Sequence, residues 1–256
     1  MSRQPFPRAG VNLVWVDETD STNALAVRVL DALTREDSVL PDTVFVAASQ
    51  RVGRGREGRT WISPRGGLYA TLARQVPNAA LGLVPLAAGV ALAEAIEVAC
   101  GVAVGLKWPN DVRAGDGKLA GVLCQGRSGE SESWAIVGWG VNIASCAELE
   151  ACRPPAASLE GLGVAGDGTE LAWAIVSGVV DRLDGLLVAP AQTYRRWHDK
   201  ATHREGDLLS VRIGQREVRG VYAGLGPAGE LLLRTPTGTE SCFAGDVVEE
   251  IAGERS

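Results

Sequence analysis

A chain of 256 residues, 46% of them hydrophobic, has the material for one large domain or for a main domain with a small appendage. Its formal net charge of −6 argues against nonspecific nucleic-acid binding by the whole surface, so any anion site must be local. Five cysteines without a CxxC pair argue against a disulfide framework or a zinc site; no apolar run reaches the roughly 18 residues of a membrane span, and MSRQPFPRAG lacks the apolar stretch of a signal peptide, so the cytoplasm is the expected compartment.

In chain order, VNLVWV (Val11 to Val16) reads as a strand. The polar DETDSTN that follows lets Ser21 or Thr22 cap a helix whose apolar face is Leu25, Val29 and Leu33. TVFVAA (Thr43 to Ala48) is a second strand, and LYATLAR (Leu68 to Arg74) alternates as a third. Leu86 to Cys100 is a long alanine-rich helix, VAVGLKW (Val102 to Trp108) a strand, and PNDVRAGDG a turn before the strands KLAGVLCQ and WAIVGWGVNI. Leu171 to Leu187 is a helix. Beyond about His203 the pattern changes to short strands broken by glycine turns, which predicts a small β-barrel of about 50 residues. The expected architecture is α/β (α+β): a mixed sheet with helices over 1–202 and a compact all-β unit over 203–256.

GRGREGRT, Gly53 to Thr60, fits the dinucleotide fingerprint G-x-G-x-x-G and nearly fits a phosphate loop with Arg59 in place of its lysine. Both patterns need a helix to open near Gly58. Pro64, Gly66 and Gly67 and then a strand pattern forbid one, and after Glu57 no acid appears until Glu94 to hold a ribose. Both are rejected. What remains is a glycine-rich, mobile surface loop with Arg51, Arg54, Arg56, Arg59 and Arg65 against the single acid Glu57. A solvated arginine loop and an RNA-binding RGG-like segment are the bland alternatives. Glycines that let backbone amides approach a ligand, and Gln50 at the end of a buried strand, favour a lid over phosphates.

Only three lysines occur among the 25 basic residues, and Lys107 and Lys118 stand eleven residues apart at strand ends flanking Trp108-Pro109-Asn110-Asp111. A turn of that composition is ordinary, GKLAG could be plain strand entry, and the glycines of VGWGVNI could serve close packing alone. The only histidines are His198 and His203, so the first 197 residues cannot build a Ser-His-Asp or Cys-His site.

Taken together, DSTNALA, ASQRVGRGREGRTW, LKWPNDV, GKLAGVLCQ and VGWGVNI, in that order, resemble the biotin protein ligases over nearly the whole chain. The resemblance implies a class II synthetase-like catalytic unit, an SH3-like C-terminal barrel and a carbon–nitrogen ligase reaction in two steps. Biotin's carboxylate attacks the α-phosphate of ATP, chelated by Mg2+, to give biotinyl-5′-AMP; a lysine of a biotin carboxyl carrier domain, from acetyl-CoA carboxylase or another biotin-dependent enzyme, then takes the acyl group. The nucleophiles are substrate groups, so the protein must supply fixed cations and amides and keep water out.

By the same match, Ser21, Thr22 and Gln50 would hydrogen-bond biotin, with Asn23 beside them. Gly53, Arg54 and Arg56 would order over the carboxylate and phosphate, with Gly55 and Arg59 in the same lid. Lys118 would stand between carboxylate and α-phosphate; Lys118, Arg56 and Arg54 are the implied catalytic set. Gly121, Gly138 and Gly140 would line the biotin pocket, Trp61, Asn110 and Asn142 would address adenosine or the metal-phosphate end, and Lys107 would act from behind. No metal ligand is assigned.

Arg51 and Trp139 depart from the family's usual smaller residues, and alternation turns Trp139 away from the side used by Gly138 and Gly140. About ten residues precede the first strand, too few for the DNA-binding segment of bifunctional members, so neither nucleic acid nor membrane is an expected partner. Whether the chain dimerises is left open. The alternatives are a lipoate- or octanoate-protein ligase or transferase of the related fold, or a biotin-binding regulator without turnover.

Overall fold

The computed structural model describes residues 10–153 and 156–251. Residues 1–9, which carry most of the signal-peptide reading, and 252–256, the end of the expected all-β unit, lie outside that range. The first elements are β1 (Asn12–Thr19), α1 (Thr22–Arg35) and β2 (Thr43–Gln50); α1 is the crossover that lets β1 and β2 pair in parallel. β3 (Leu68–Pro77), α2 (Val84–Cys100), β4 (Gly105–Lys107), β5 (Asp111–Ala114), β6 (Gly117–Arg127) and β7 (Glu132–Val141) follow. These strands form one seven-stranded mixed sheet in the order β1-β2-β3-β7-β6-β5-β4. α3 (Ala147–Glu150), α4 (Gly168–Leu187) and α5 (Pro190–Lys200) precede β8 (Leu208–Ile213), β9 (Arg216–Leu225), β10 (Leu231–Thr235), β11 (Gly238–Cys242) and β12 (Asp246–Ile251). The last five strands form an antiparallel sheet in the order β11-β10-β9-β8-β12.

The central strands separate two apolar layers by their alternation. Ala135, Val137, Trp139 and Val141 of β7 pack with α2, whereas Ile136 joins Ala26 and Leu30 of α1 on the opposite face. α2 has Pro85 in its first turn and ends on Gly101, whose φ of +68° suits a left-handed cap. Leu86, Val90, Leu92 and Ile96 of this helix are at most 2% exposed, and each buried side chain of that size contributes about 1.5–3 kcal/mol. Truncating Leu92 to alanine would cost roughly 2–5 kcal/mol. Together with the turn before it, α2 is long and apolar enough to cross a membrane by length and composition, over Asn78–Cys100 with mean hydropathy 1.9. That corrects the sequence reading. Here 67% of that window is buried inside the molecule, and Glu94 and Glu97 pair with Arg196 and Lys200 of α5.

Other differences are local. VAVGLKW is a strand only over Gly105–Lys107, DVRA of the expected turn forms β5, and α5 was not anticipated. The polar composition of PAQTYRRWHDK hides its period; Thr193 and Trp197 are its buried residues, and Pro190 opens it. α4 starts where Asp167 accepts from the amides of Thr169 and Glu170. The turn between β9 and β10 is hydrogen-bonded to the rest of the chain: Trp108 Nε1, between β4 and β5, donates to the Gly229 carbonyl at 3.1 Å, and Tyr194 Oη of α5 to the Pro227 carbonyl at 2.6 Å.

Candidate active site

The face of the seven-stranded sheet opposite α2 carries one cross-strand row: Tyr69, Gly140, Gly121, Asp111 and Lys107, each paired with the next across β3, β7, β6, β5 and β4. Thr71, Gly138 and Leu123 form the next row. The glycines are required by close approach. A Cβ at Gly138 would lie 1.9 Å from Asn23 Oδ1, and one at Gly140 would lie 2.5 Å from Trp61 Nε1. Trp139 between them turns into the core with α2, as its alternation predicts.

The N-terminus of α1 forms one wall. Ser21 is its N-cap residue in extended conformation, yet its hydroxyl makes no capping bond and the side chain faces the cavity. The Gln50 carbonyl Oε1 accepts from the Thr22 amide at 2.8 Å, while its Nε2 donates to Ser63 Oγ at 2.9 Å. Asn23 Nδ2 donates to the Leu123 carbonyl at 3.1 Å, and its Oδ1 lies 2.7 Å from the buried Thr71 hydroxyl, which also lies 2.8 Å from Thr22 Oγ1. α1 therefore buries Thr22, Asn23, Ala26 and Leu30 rather than the expected Leu25, Val29 and Leu33, which are only partly covered. Polar residues occupy the helix start because their bonds run into β3 and β6.

The arginine loop is a hydrogen-bonded hairpin. The Trp61 amide donates to the Gly53 carbonyl at 2.9 Å, Arg54 pairs with Thr60, and the Gly55 amide donates to the Arg59 carbonyl at 2.7 Å. Its tip, Arg56–Gly58, is a single 310 turn with Glu57 and Gly58 at positive φ, so no α-helix opens there. Gly53 lies behind the hairpin: a Cβ would meet the Trp61 carbonyl at 2.3 Å and Ser63 Oγ at 2.4 Å. Arg56 donates to the Gly245 carbonyl at 2.9 Å, and Arg59 pairs with Asp246.

Beneath this hairpin the Trp61 ring lies on Gly140, and the Lys118 ammonium stands 5.2 Å from the ring centre and 2.5 Å from Asp111 Oδ1. Asn110 Nδ2 donates to the Val122 carbonyl at 2.7 Å. Asn142 is buried, with Nδ2 donating to the Ala157 carbonyl at 2.9 Å, which ties the segment after α3 to the sheet.

These groups enclose a cavity of about 280 Å3, the size of a small-ligand site. Ser21, Thr22, Asn23, Gln50, Arg54, Gly55, Arg56, Arg59, Trp61, Asn110, Lys118, Gly121, Gly138, Gly140 and Asn142 all line it. Gly53 and Lys107 do not. Lys107 ends the floor row on an edge strand, where burial, its largest influence, and the nearby Arg113 hold its ammonium pKa below the usual value. Sequence reasoning assigned no role to Asp111, Thr71, Asp246, Leu149, Cys152 or Arg153. Asp111 stood inside a quoted motif and could have been flagged; Asp246 comes from the other sheet and has no local signal. Among the described residues no three of His, Cys, Asp and Glu gather as a metal centre.

A small cavity floored by glycine backbone, with an ammonium inside and a cationic hairpin at its mouth, is built to bring a carboxylic acid onto a polyphosphate: the arrangement of an acid-activating ligase. The model of the Biotin/lipoate A/B protein ligase family matches residues 15–142, and the chain belongs to that family. It is 34% identical over 241 residues to a biotin–[acetyl-CoA-carboxylase] ligase of Paracoccus denitrificans, covering 90% of this chain and 97% of the relative. A ligase of the same description from Mycobacterium tuberculosis is 32% identical over 91% of this chain and 87% of its own length. The solved biotin protein ligase of Aquifex aeolicus in complex with biotin and ATP superposes with TM-score 0.72 at 28% identity, covering 92% of this chain and 97% of that one.

Proposed function

We propose that this chain ligates biotin to a lysine of a biotin carboxyl carrier protein in two steps, with MgATP as co-substrate. The carboxylate of biotin attacks the α-phosphate, pyrophosphate leaves, and biotinyl-5′-AMP forms. The neutral amine of the acceptor lysine then attacks the acyl carbon, AMP leaves, and an amide results. The observation that carries the reading is the cavity itself, in which a neutral glycine floor continues into Lys118 and the Arg54–Arg59 hairpin.

Each group then has a physical task. Ser21, Thr22 and Gln50, held by the Gln50–Thr22 bond, offer hydroxyls and amides to the polar head and tail of biotin, while Gly121, Gly138 and Gly140 let Lys118, Asn23 and Trp61 seat close against the floor strands and so shape the pocket it would enter. Lys118 meets the carboxylate and the α-phosphate as a point charge where two anions converge. Arg54, Arg56 and Arg59 face the phosphates and keep water from the mixed anhydride once the hairpin closes. Trp61, Asn110 and Asn142 border the nucleotide end. Gly53 shapes the hairpin from behind, and Lys107 supports the edge of the floor.

Lipoate or octanoate is the second reading, because the family takes its name from both cofactors. The 34% identical relative named for biotin over nearly its whole length favours biotin. The test is pyrophosphate release with MgATP and each acid in turn, followed by transfer to a carrier domain. Turnover with lipoate or octanoate and none with biotin would move the assignment. Binding of biotin without pyrophosphate release would make the chain a regulator.

A further inference from the structure

A single carboxylate from the five-stranded sheet engages both arginines at the tip of the hairpin. Arg56 Nη1 donates to the Gly245 carbonyl at 2.9 Å and lies 3.6 Å from Asp246 Oδ1, while Arg59 pairs with Asp246 Oδ2. Asp246 lines the cavity, although 187 residues separate it from Arg59.

Its position is fixed from behind. Asp246 opens β12 and pairs with Arg212 of β8. Gly245 before it has φ +120°, and a Cβ there would lie 2.4 Å from the Arg212 carbonyl. The turn between β9 and β10 of the sheet that carries it is bonded to Trp108, beside β4, through the Gly229 carbonyl and to Tyr194 of α5 through the Pro227 carbonyl. The hairpin, by contrast, has glycine at 53, 55 and 58, buries none of its tip residues and orders long side chains with many rotamers. A guanidinium has five N–H donors, so an acceptor on one edge orients it and leaves the others for an anion.

We infer that Asp246 is a positioning residue for the adenylation step. Its carboxylate anchors Arg56 and Arg59 at the mouth of the cavity, so that the hairpin meets the nucleotide's phosphates from a fixed frame and stays closed over the adenylate. Without that charge the two guanidinium groups repel each other and the tip lifts. The inference rests on the proposed ligase reaction for its catalytic half, whereas the anchoring half can be read with no substrate present.

The experiment compares Asp246→Asn and Asp246→Glu with the full wild-type chain. Trypsin cleaves after arginine, so the hairpin reports its own opening: Asp246→Asn should be cut between Arg51 and Arg59 several-fold faster than wild type, and Asp246→Glu at close to the wild-type rate. In the pyrophosphate assay at saturating biotin, Asp246→Asn should raise the KM for ATP about tenfold, change kcat less and release more free biotinyl-AMP. Biotin affinity by calorimetry should not move. Arg59→Ala should also raise the KM for ATP, and adding Asp246→Asn to it should raise it further by less than Asp246→Asn does alone, because one of the carboxylate's two partners is already gone while Arg56 still holds the other. Wild-type cleavage and wild-type KM in Asp246→Asn would overturn the inference. So would a lower KM for ATP, which would make the carboxylate an opponent of the nucleotide. A wild-type chain that releases no pyrophosphate with biotin would instead overturn the ligase reading, and the trypsin comparison would still decide the anchor.

Discussion

The Lys118 ammonium lies 2.5 Å from the Asp111 carboxylate, and Asp111 is paired across the strands with Gly121 of the cavity floor. The two side chains are 29% and 26% exposed, open enough for the lysine to exchange its partner for a substrate anion. In the proposed reaction Asp111 would hold the cation in place until the reacting anions arrive.

Lys118→Ala should lose adenylation by about a hundred- to a thousand-fold, roughly 2.7–4 kcal/mol, as expected for removing one preorganised donor. Transfer from preformed biotinyl-AMP should suffer less, and Lys118→Arg should rescue poorly because a planar fork does not replace a point charge. Single-turnover adenylation beside wild type measures this. A wild-type rate in Lys118→Ala would reduce the residue to strand entry.

Gly140→Ala should abolish tight biotin binding while the chain still folds. The added methyl would press on Trp61 Nε1 at 2.5 Å, and the indole must leave the cavity floor. Titration calorimetry with biotin, together with a thermal melt, separates the two effects. Unchanged affinity would show that Trp61 is not held by the floor.

Thr71→Val keeps the shape of a fully buried side chain but removes the hydroxyl that meets Asn23 Oδ1 and Thr22 Oγ1. The unpaired amide oxygen should cost about 1–3 kcal/mol in denaturant unfolding and weaken biotin binding through the wall of α1. Thr71→Ser should restore most of both. Equal stability of all three would mean that the network is dispensable.

His203 is 1% exposed, lies between Trp197 and Tyr222, and has no hydrogen-bond partner at either ring nitrogen among the described residues. Burial, more than the opposing pull of Asp207, takes its pKa from 6.5 down to about 4, and Lys107 and Arg204 add to the lowering. The unfolded chain binds this proton as pH falls through 6.5, whereas the folded chain refuses it until about 4. The neutral ring's contribution is therefore complete above 6.5 and is lost across that window, by on the order of 3 kcal/mol. Glu250, raised by burial, acts in the opposite sense, so the difference between wild type and His203→Phe isolates the histidine. Parallel slopes of stability against pH from 7 to 4 would refute this account.

Most of the central frame was legible because its signals are local. Alternation in WAIVGWGVNI gave β7 and turned Trp139 inward, and the apolar run before Gly101 gave α2. The cavity glycines were legible only as part of a series of motifs. What brings Gly140, Gly121 and Asp111 side by side is antiparallel register, which no single segment encodes. β5 was hidden because DVRA is short and sits among turn residues; α5 because its face buries only Thr193 and Trp197. The hairpin's form was hidden for a similar reason. Its tip is held by Gly245 and Asp246, and loop composition alone gives no view of an acceptor on a distant sheet.

The glycine floor also limits how such a pocket can diverge. Gly138 and Gly140 have no room for a β-carbon, and at Gly121 one would already crowd the Lys118 side chain at 3.3 Å. Point changes at Gly138 or Gly140 force Asn23 or Trp61 to move and so narrow or disrupt the site rather than enlarge it. A descendant of this sequence that takes a different acid must acquire its preference from the walls, at Asn23, Trp61 or the residues beyond α3, while the floor stays frozen beneath them.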